Sequence, residues 1–211
     1  GDRGSADLLL PRCDLGQLLP DAAHTWLQAH GAQVVCAQVV RTCPQPGTDA
    51  DAVLLACPPW EAARLCATLA PEWSARARAL THEAIATVYT RTRAKAAASW
   101  PHAMLALSSS AQAPAQFVFD RARLSGRSAD AGIWAWVASA CTTERDVLTQ
   151  QVLNQAHTQL GCTDLQVITT VVEKRATFAC TMDADRPDAA IAPGLWACGD
   201  YVQGPYPATL E

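Results

Sequence analysis

The segment ADAVLLACPPW at residues 50–60 constrains the fold more than any other. A short, unbroken apolar run of this kind suits a β-strand covered on both faces. Pro58 and Pro59 then end it, because neither can donate to a strand ladder and both suit the first turn of a helix. The chain must therefore pass from buried strand to helix within a few residues. The helix is expected from about residue 60 to 69, with Leu65 and Leu69 on one face.

The same reading extends along the chain. Residues 20–30 are expected to be helical, with Pro20 at the start, Ala22, Ala23, Trp26 and Leu27 on one face, and Gly31 as the stop. The β-branched residues of 34–42 predict a strand or hairpin. EAIATVYTRTR alternates in strand fashion, and AQFVFDRARL and GIWAWVASA are two further strand candidates. Thr143 and Asp146 form a capping-box variant before a helix whose Leu148, Val152, Ala156 and Leu160 recur every four residues, ended by Gly161. LQVITTVVEKRATFA reads as one long strand or two. Several consecutive strands with two or three inserted helices predict an α+β fold, a mixed and largely antiparallel sheet with packed helices.

Composition narrows the class. Half of the 211 residues are hydrophobic and 17% are charged, as in a globular chain, and the net charge of −4 gives no drive toward nucleic acid. No window approaches the roughly 18 apolar residues of a spanning helix. The opening GDRGSADLLLPR lacks the apolar core of a signal peptide, so a cytoplasmic location is expected. Nine cysteines, none in a C-x-x-C pair, and five scattered histidines predict reduced thiols, with neither a structural disulfide nor a metal site.

The segment with chemical content is APGLWACGDYVQGPYPATLE, residues 192–211. LWAC reads as a buried strand delivering Gly199 and Asp200 at its carboxyl end, where ligands of such sheets collect. A carboxylate there can accept hydrogen bonds from sugar-like hydroxyls. Gly199 leaves room for a ligand to approach the backbone. Ala208, Thr209 and Leu210 would begin a helix, whose free N–H groups favour an electron-rich ligand atom.

This pattern resembles the C-terminal FAD signature of the flavin amine oxidase and phytoene desaturase superfamily. Its wording is most similar to the squalene-associated FAD-dependent desaturases, the hydroxysqualene dehydroxylases of hopanoid synthesis. DLLLPRCDLGQLLPDAAHTWLQAHGAQV, DAVLLACPPW, AQFVFDR and VVEKRATFACTMDADRP resemble further segments of that group. The resemblance implies an FAD-dependent oxidoreductase acting on an isoprenoid lipid, with room for peripheral contact with the inner membrane. It implies that Asp200 binds the ribityl chain beside Gly199, that Thr209 and Leu210 offer backbone N–H groups, and that Val40 makes a backbone contact to the adenine. It also divides the chain into a return segment with FAD-domain strands at 1–59, a substrate domain at 60–190 and an FAD motif at 191–211.

One departure bears on cofactor retention. The superfamily opens with a G-x-G-x-x-G turn, and neither GDRGS nor LSGRS supplies it. The chain is therefore expected to be a C-terminal fragment that does not retain FAD alone. A flavin amine oxidase, a carotenoid-type desaturase and a truncated domain without activity are the alternatives.

Other residues read more plainly. The seven tryptophans are expected in core and rim, with Trp134 and Trp136 on one strand face. Ser108, Ser109 and Ser110 lack the G-x-S-x-G elbow of a hydrolase. Arg121, Arg123 and Arg127 read as a solvated strand exit, and Lys174 as exposed. No pair of residues points to a catalytic acid or base.

Overall fold

The computed structural model describes residues 10–92 and 102–204. Thr209, Leu210 and the expected helix start around them lie outside the described residues. In chain order the helices are α1 (Leu15–Leu18), α2 (Pro20–Ala29), α3 (Pro59–Cys66), α4 (Pro71–Ala79), α5 (Arg121–Ser125) and α6 (Arg145–Leu160). The strands are β1 (Val53–Leu55), β2 (His82–Arg91), β3 (Met104–Ala106), β4 (Phe117–Asp120), β5 (Ile133–Ser139), β6 (Gln166–Phe178), β7 (Ala190–Ala192) and β8 (Leu195–Ala197). The fold is α+β.

Two compact units interleave along the chain, one of residues 1–36 and 84–173, the other of residues 37–83 and 174–211. These limits differ from the expected cuts after residues 59 and 190. The reason is the pairing of β1 with β8, which draws residues 53–55 and 195–197 together, and α3 and α4 contribute to the same core.

In the first unit a five-stranded sheet runs β3-β4-β5-β2-β6. β2 pairs antiparallel with β5, setting Val88 opposite Trp136, and β4 flanks β5 with Val118 opposite Trp136. The alternation in these strands sends Ala86, Val88, Val118, Trp134, Trp136 and Ala138 to a core completed by Leu148, Val152 and Ala156 of α6. Trp134 and Trp136 are fully buried with their rings 6.2 Å apart, and the Trp136 indole N–H donates to Thr90 Oγ1 at 2.9 Å. They are core residues. Gln155, buried on α6, holds the loop before β4 through bonds to the N–H and C=O of Ala115. Gly161 ends α6 in the left-handed conformation, φ 67°. The expected capping box does not form: Glu144 is the N-cap and no side chain caps the helix.

The second unit carries a three-stranded sheet, β1-β8-β7, with β1 parallel and β7 antiparallel to β8. Its core joins Val53, Leu55, Leu195 and Ala197 from the sheet to Ala62, Ala63, Cys66, Trp73 and Ala77 of α3 and α4. β1 is not covered on both faces as expected, since Leu54 is 62% exposed between buried Val53 and Leu55. The expected strand over 34–42 is also absent: these residues join no named strand, and Val34, Val35, Val39 and Val40 are exposed. β-propensity without a partner strand does not make a sheet.

α2 forms where the sequence places it, and α1 was not foreseen; neither buries a residue. Leu15, Leu18, Leu19 and Trp26 are all exposed, and the Trp26 ring stacks on His30 at 4.0 Å. No helix among the described residues is long and apolar enough to cross a membrane.

Candidate functional site

β1 and β8 run parallel, so their carboxyl ends lie at one edge of the second unit's sheet. The ladder continues past the strands through Cys198 N–H donating to the Leu55 carbonyl at 3.0 Å. Beyond this point both segments turn away, β1 into Pro58 and Pro59 and β8 into Gly199 and Asp200. The space between them is a cavity of about 270 Å³. Its lining includes Pro58, Trp60, His82, Arg175, Thr177, Cys198, Gly199, Asp200 and Tyr201. Gly199 and Asp200, the strand-exit pair expected from the sequence, are therefore both in the cavity wall.

Asp200 is half-buried, and its carboxylate accepts a long hydrogen bond from Thr177 Oγ1 at 3.4 Å. Its backbone is held more firmly. Arg186 donates to the carbonyls of Asp200 at 3.0 Å, of Gly204 at 3.2 Å and of Val202. The same guanidinium lies 5.1 Å from the Phe178 ring, and Gln203 N–H donates to the Pro187 carbonyl at 2.8 Å. Side chain and backbone of Asp200 thus have separate supports, which leaves most of the carboxylate's accepting capacity for a ligand.

Gly199 has a different reason to be glycine than the one expected. A Cβ at this position would sit 2.8 Å from Tyr201 Cε1, so the close approach is by a ring of the chain itself. Tyr201 is 2% exposed, and its hydroxyl has no hydrogen-bond partner among the described residues. Burial, with Cys57 and Cys198 nearby, raises its pKa, so it is a neutral phenol able to donate. A buried donor without an acceptor is costly.

The same lining carries Trp60, His82 and Arg175. The Arg175 guanidinium lies 4.6 Å from the Trp60 ring centroid, and His82 meets Trp60 edge-on at 5.1 Å. Burial and the neighbouring Arg175 charge lower the His82 pKa, leaving the imidazole neutral at pH 7. Lys174 is exposed and is not among the cavity-lining residues.

Val40 stands apart from the cavity lining. Its carbonyl accepts from Arg64 at 3.0 Å, as does that of Arg41. Cys57 and Cys198 line the cavity, while Cys66 is buried behind it with its thiol pushed up to about 12 by burial and by Cys43. All nine cysteines are free, and among the described residues no group of three or more His, Cys, Asp or Glu could hold a metal ion. A larger cavity of about 360 Å³ lies along α4, but its one cation, Arg76, is engaged by Asp185 at 2.9 Å and Asp188 at 3.2 Å. That cluster ties α4 to the loop before β7.

The sequence missed Arg186, Thr177, Tyr201 and the Trp60–Arg175 pair. The segment VVEKRATF, with its strand ending beside the Gly-Asp turn, was the one signal that could have located Arg175 and Thr177.

No protein-family model matches the chain, and no curated protein does. Its fold is similar to that of a protein assigned as a protoporphyrinogen oxidase from Exiguobacterium sp. 255-15, with a TM-score of 0.50 and 17% identity over 75% of this chain and 38% of that one. It is similar also to an oxidoreductase from Methanosarcina mazei, with a TM-score of 0.64 and 14% identity over 87% of this chain and 48% of that one. The chain spans less than half the length of either structure, and the likeness at these identities is one of fold: this chain has a fold found in solved oxidoreductases.

Proposed function

We propose that this chain is part of a flavin-dependent oxidoreductase and that the cavity at the carboxyl ends of β1 and β8 receives the polyol of FAD. The observation that carries the reading is Asp200 itself, in the cavity wall beside Gly199 at the exit of β8, whose carboxylate has one weak partner. A carboxylate accepts hydrogen bonds, which suits a chain of hydroxyls. When bound, FAD would supply the hydride chemistry. The residues of this chain would orient its polyol and exclude water from it.

The substrate class rests on sequence. The resemblance of residues 192–211 supports an isoprenoid lipid such as hydroxysqualene, and an amine or a carotenoid precursor is the alternative within the same superfamily. Phosphate binding through a G-x-G-x-x-G turn is not available within these residues. Affinity of the chain alone is therefore expected to be too low to keep flavin through purification.

Titration of FAD into the chain, read by flavin fluorescence and compared with Asp200→Ala, tests the reading. A hydrogen bond to a charged group contributes about 1.5–3 kcal/mol, so the variant should bind roughly 10- to 100-fold more weakly with an unchanged melting temperature. Unchanged affinity with a lowered melting temperature would make Asp200 a turn former and remove the proposal.

A further inference from the structure

We infer that the outer face of the β1-β8-β7 sheet docks an amphipathic helix from the part of the oxidoreductase that lies outside these residues. The inference stands apart from the flavin reading, since Asp200 and its cavity do not enter it. Strand register alone defines the face. Leu54 of β1 lies directly opposite Trp196 of β8, and Trp196 directly opposite Ala190 of β7. The three side chains therefore form one row across the whole sheet. All three are exposed, Leu54 at 62% and Trp196 at 40%. Ala52 and Ala56, two positions to either side of Leu54, continue the face and are exposed as well. None of the five is charged, and only the Trp196 indole N–H is polar.

The chemistry of the face selects a helix as its occupant. A sheet face turned to water alternates with polar residues outward, whereas parallel strands occur with helices on both faces. Here the parallel pair β1 and β8 has one helical layer, α3 and α4, against Val53, Leu55, Leu195 and Ala197. The outer row is as apolar as the inner one. Size agrees. Neighbouring strands lie about 4.8 Å apart, so three of them span roughly 10 Å. One α-helix with its side chains is about 10–12 Å wide. Alanines at 52, 56 and 190 beside the two large side chains let a helix approach closely. The likeness in fold points to its source. The chain matches 38% of one solved oxidoreductase and 48% of the other, so more than half of each lies beyond the matched part.

The test uses two synthetic peptides of leucine, alanine, lysine and glutamate, each about 18 residues long so that a helix can form in water. One carries its leucines on a single helical face, and the other has the same composition in scrambled order. Each is titrated into the wild type, Leu54→Lys and Trp196→Thr, read by backbone chemical shifts, with melting temperature as the control for folding. The striped peptide should bind the wild type at least tenfold more tightly than the scrambled one, shifting residues 52–56, 190 and 194–198. It should also slow alkylation of Cys198, two positions along from Trp196, and leave Cys36 and Cys180 unaffected. Either variant should weaken binding at least tenfold while staying folded. Equal binding of the two peptides, binding that survives both variants, or no binding at all overturns the inference. Dimers in sedimentation that vanish in Trp196→Thr would give the face to a second copy, and flotation with phosphatidylcholine vesicles lost in that variant would give it to lipid. Either result overturns the helix assignment. No arm contains flavin, so the flavin reading stands or falls on its own titration.

Discussion

Arg186 donates to the main-chain carbonyl of Asp200 at 3.0 Å, so the turn that presents the cavity's carboxylate is held by a side chain fourteen positions upstream. The same guanidinium reaches the carbonyls of Val202 and Gly204. Arg186→Ala removes all of these bonds at a half-buried site and should cost about 2–4 kcal/mol, given roughly 1.5–3 kcal/mol per charged hydrogen bond and partial replacement by water. Arg186→Lys restores one donor group and should recover part of the loss. Urea unfolding of the three proteins measures it, and a change below about 0.5 kcal/mol for the alanine variant would show that the turn holds its shape unaided.

Gly199 is fixed by steric contact with Tyr201. An alanine Cβ would approach the ring carbons Cε1 and Cδ1 to 2.8 and 2.9 Å, and a ring only 2% exposed has nowhere to move. Overpacking of this kind costs about 1–3 kcal/mol, so Gly199→Ala should lower the melting temperature of the chain with no ligand present. Combining it with Tyr201→Ala should relieve the clash, and a double variant less stable than the sum of the single changes would refute the mechanism.

The thiols should divide into kinetic classes. Cys36, Cys180 and Cys198 are exposed and should react rapidly with a disulfide reagent in the folded protein. Cys66 and Cys162 are buried, and burial raises both pKa values, Cys66 to about 12. They should react only on unfolding. Denatured, non-reduced protein should show nine free thiols, and rapid reaction of Cys66 in the native state would contradict the packing of α3.

α1 and α2 should be the first structured segment to open. They bury no residue, whereas α6 anchors Leu148, Val152 and Ala156 in the core. Local stability follows burial, so brief thermolysin digestion should cut within residues 15–29 while α6 stays intact. Simultaneous cleavage of the two regions would mean that the N-terminal helices gain protection from elsewhere in the chain.

Local patterns in the sequence foretold what depends on local patterns. β2 and β5 were legible because alternation alone fixes which side chains turn inward, and Gly161 was legible as a left-handed helix stop. α2 was legible as a helix, but its periodicity could not disclose that Trp26 and Leu27 would face solvent. β1 looked doubly covered because an apolar run reports what a strand could bury, and Leu54 shows that it need not. The strand expected over 34–42 failed for want of a partner, which is a non-local property. α4 was missed because the charges of PEWSARARA blur its apolar face. At the site, Asp200 was visible as the residue after a strand and a glycine. Arg186, Thr177 and Tyr201 act through contacts made only when the turn after β8 returns to β6 and the loop before β7, and no spacing announces them.

β6 has a consequence for how the chain behaves in solution. It is thirteen residues long and stands last in the five-stranded order, with Ile168 and Val171 exposed. A long terminal strand offers its backbone to any other extended segment it meets, and proteins commonly guard against this with charge. Glu173, Lys174 and Arg175 supply such gatekeepers along its second half, but the stretch from Gln166 to Val172 carries none. Self-association should therefore begin in that half, growing with protein concentration and yielding to a single lysine placed at Ile168.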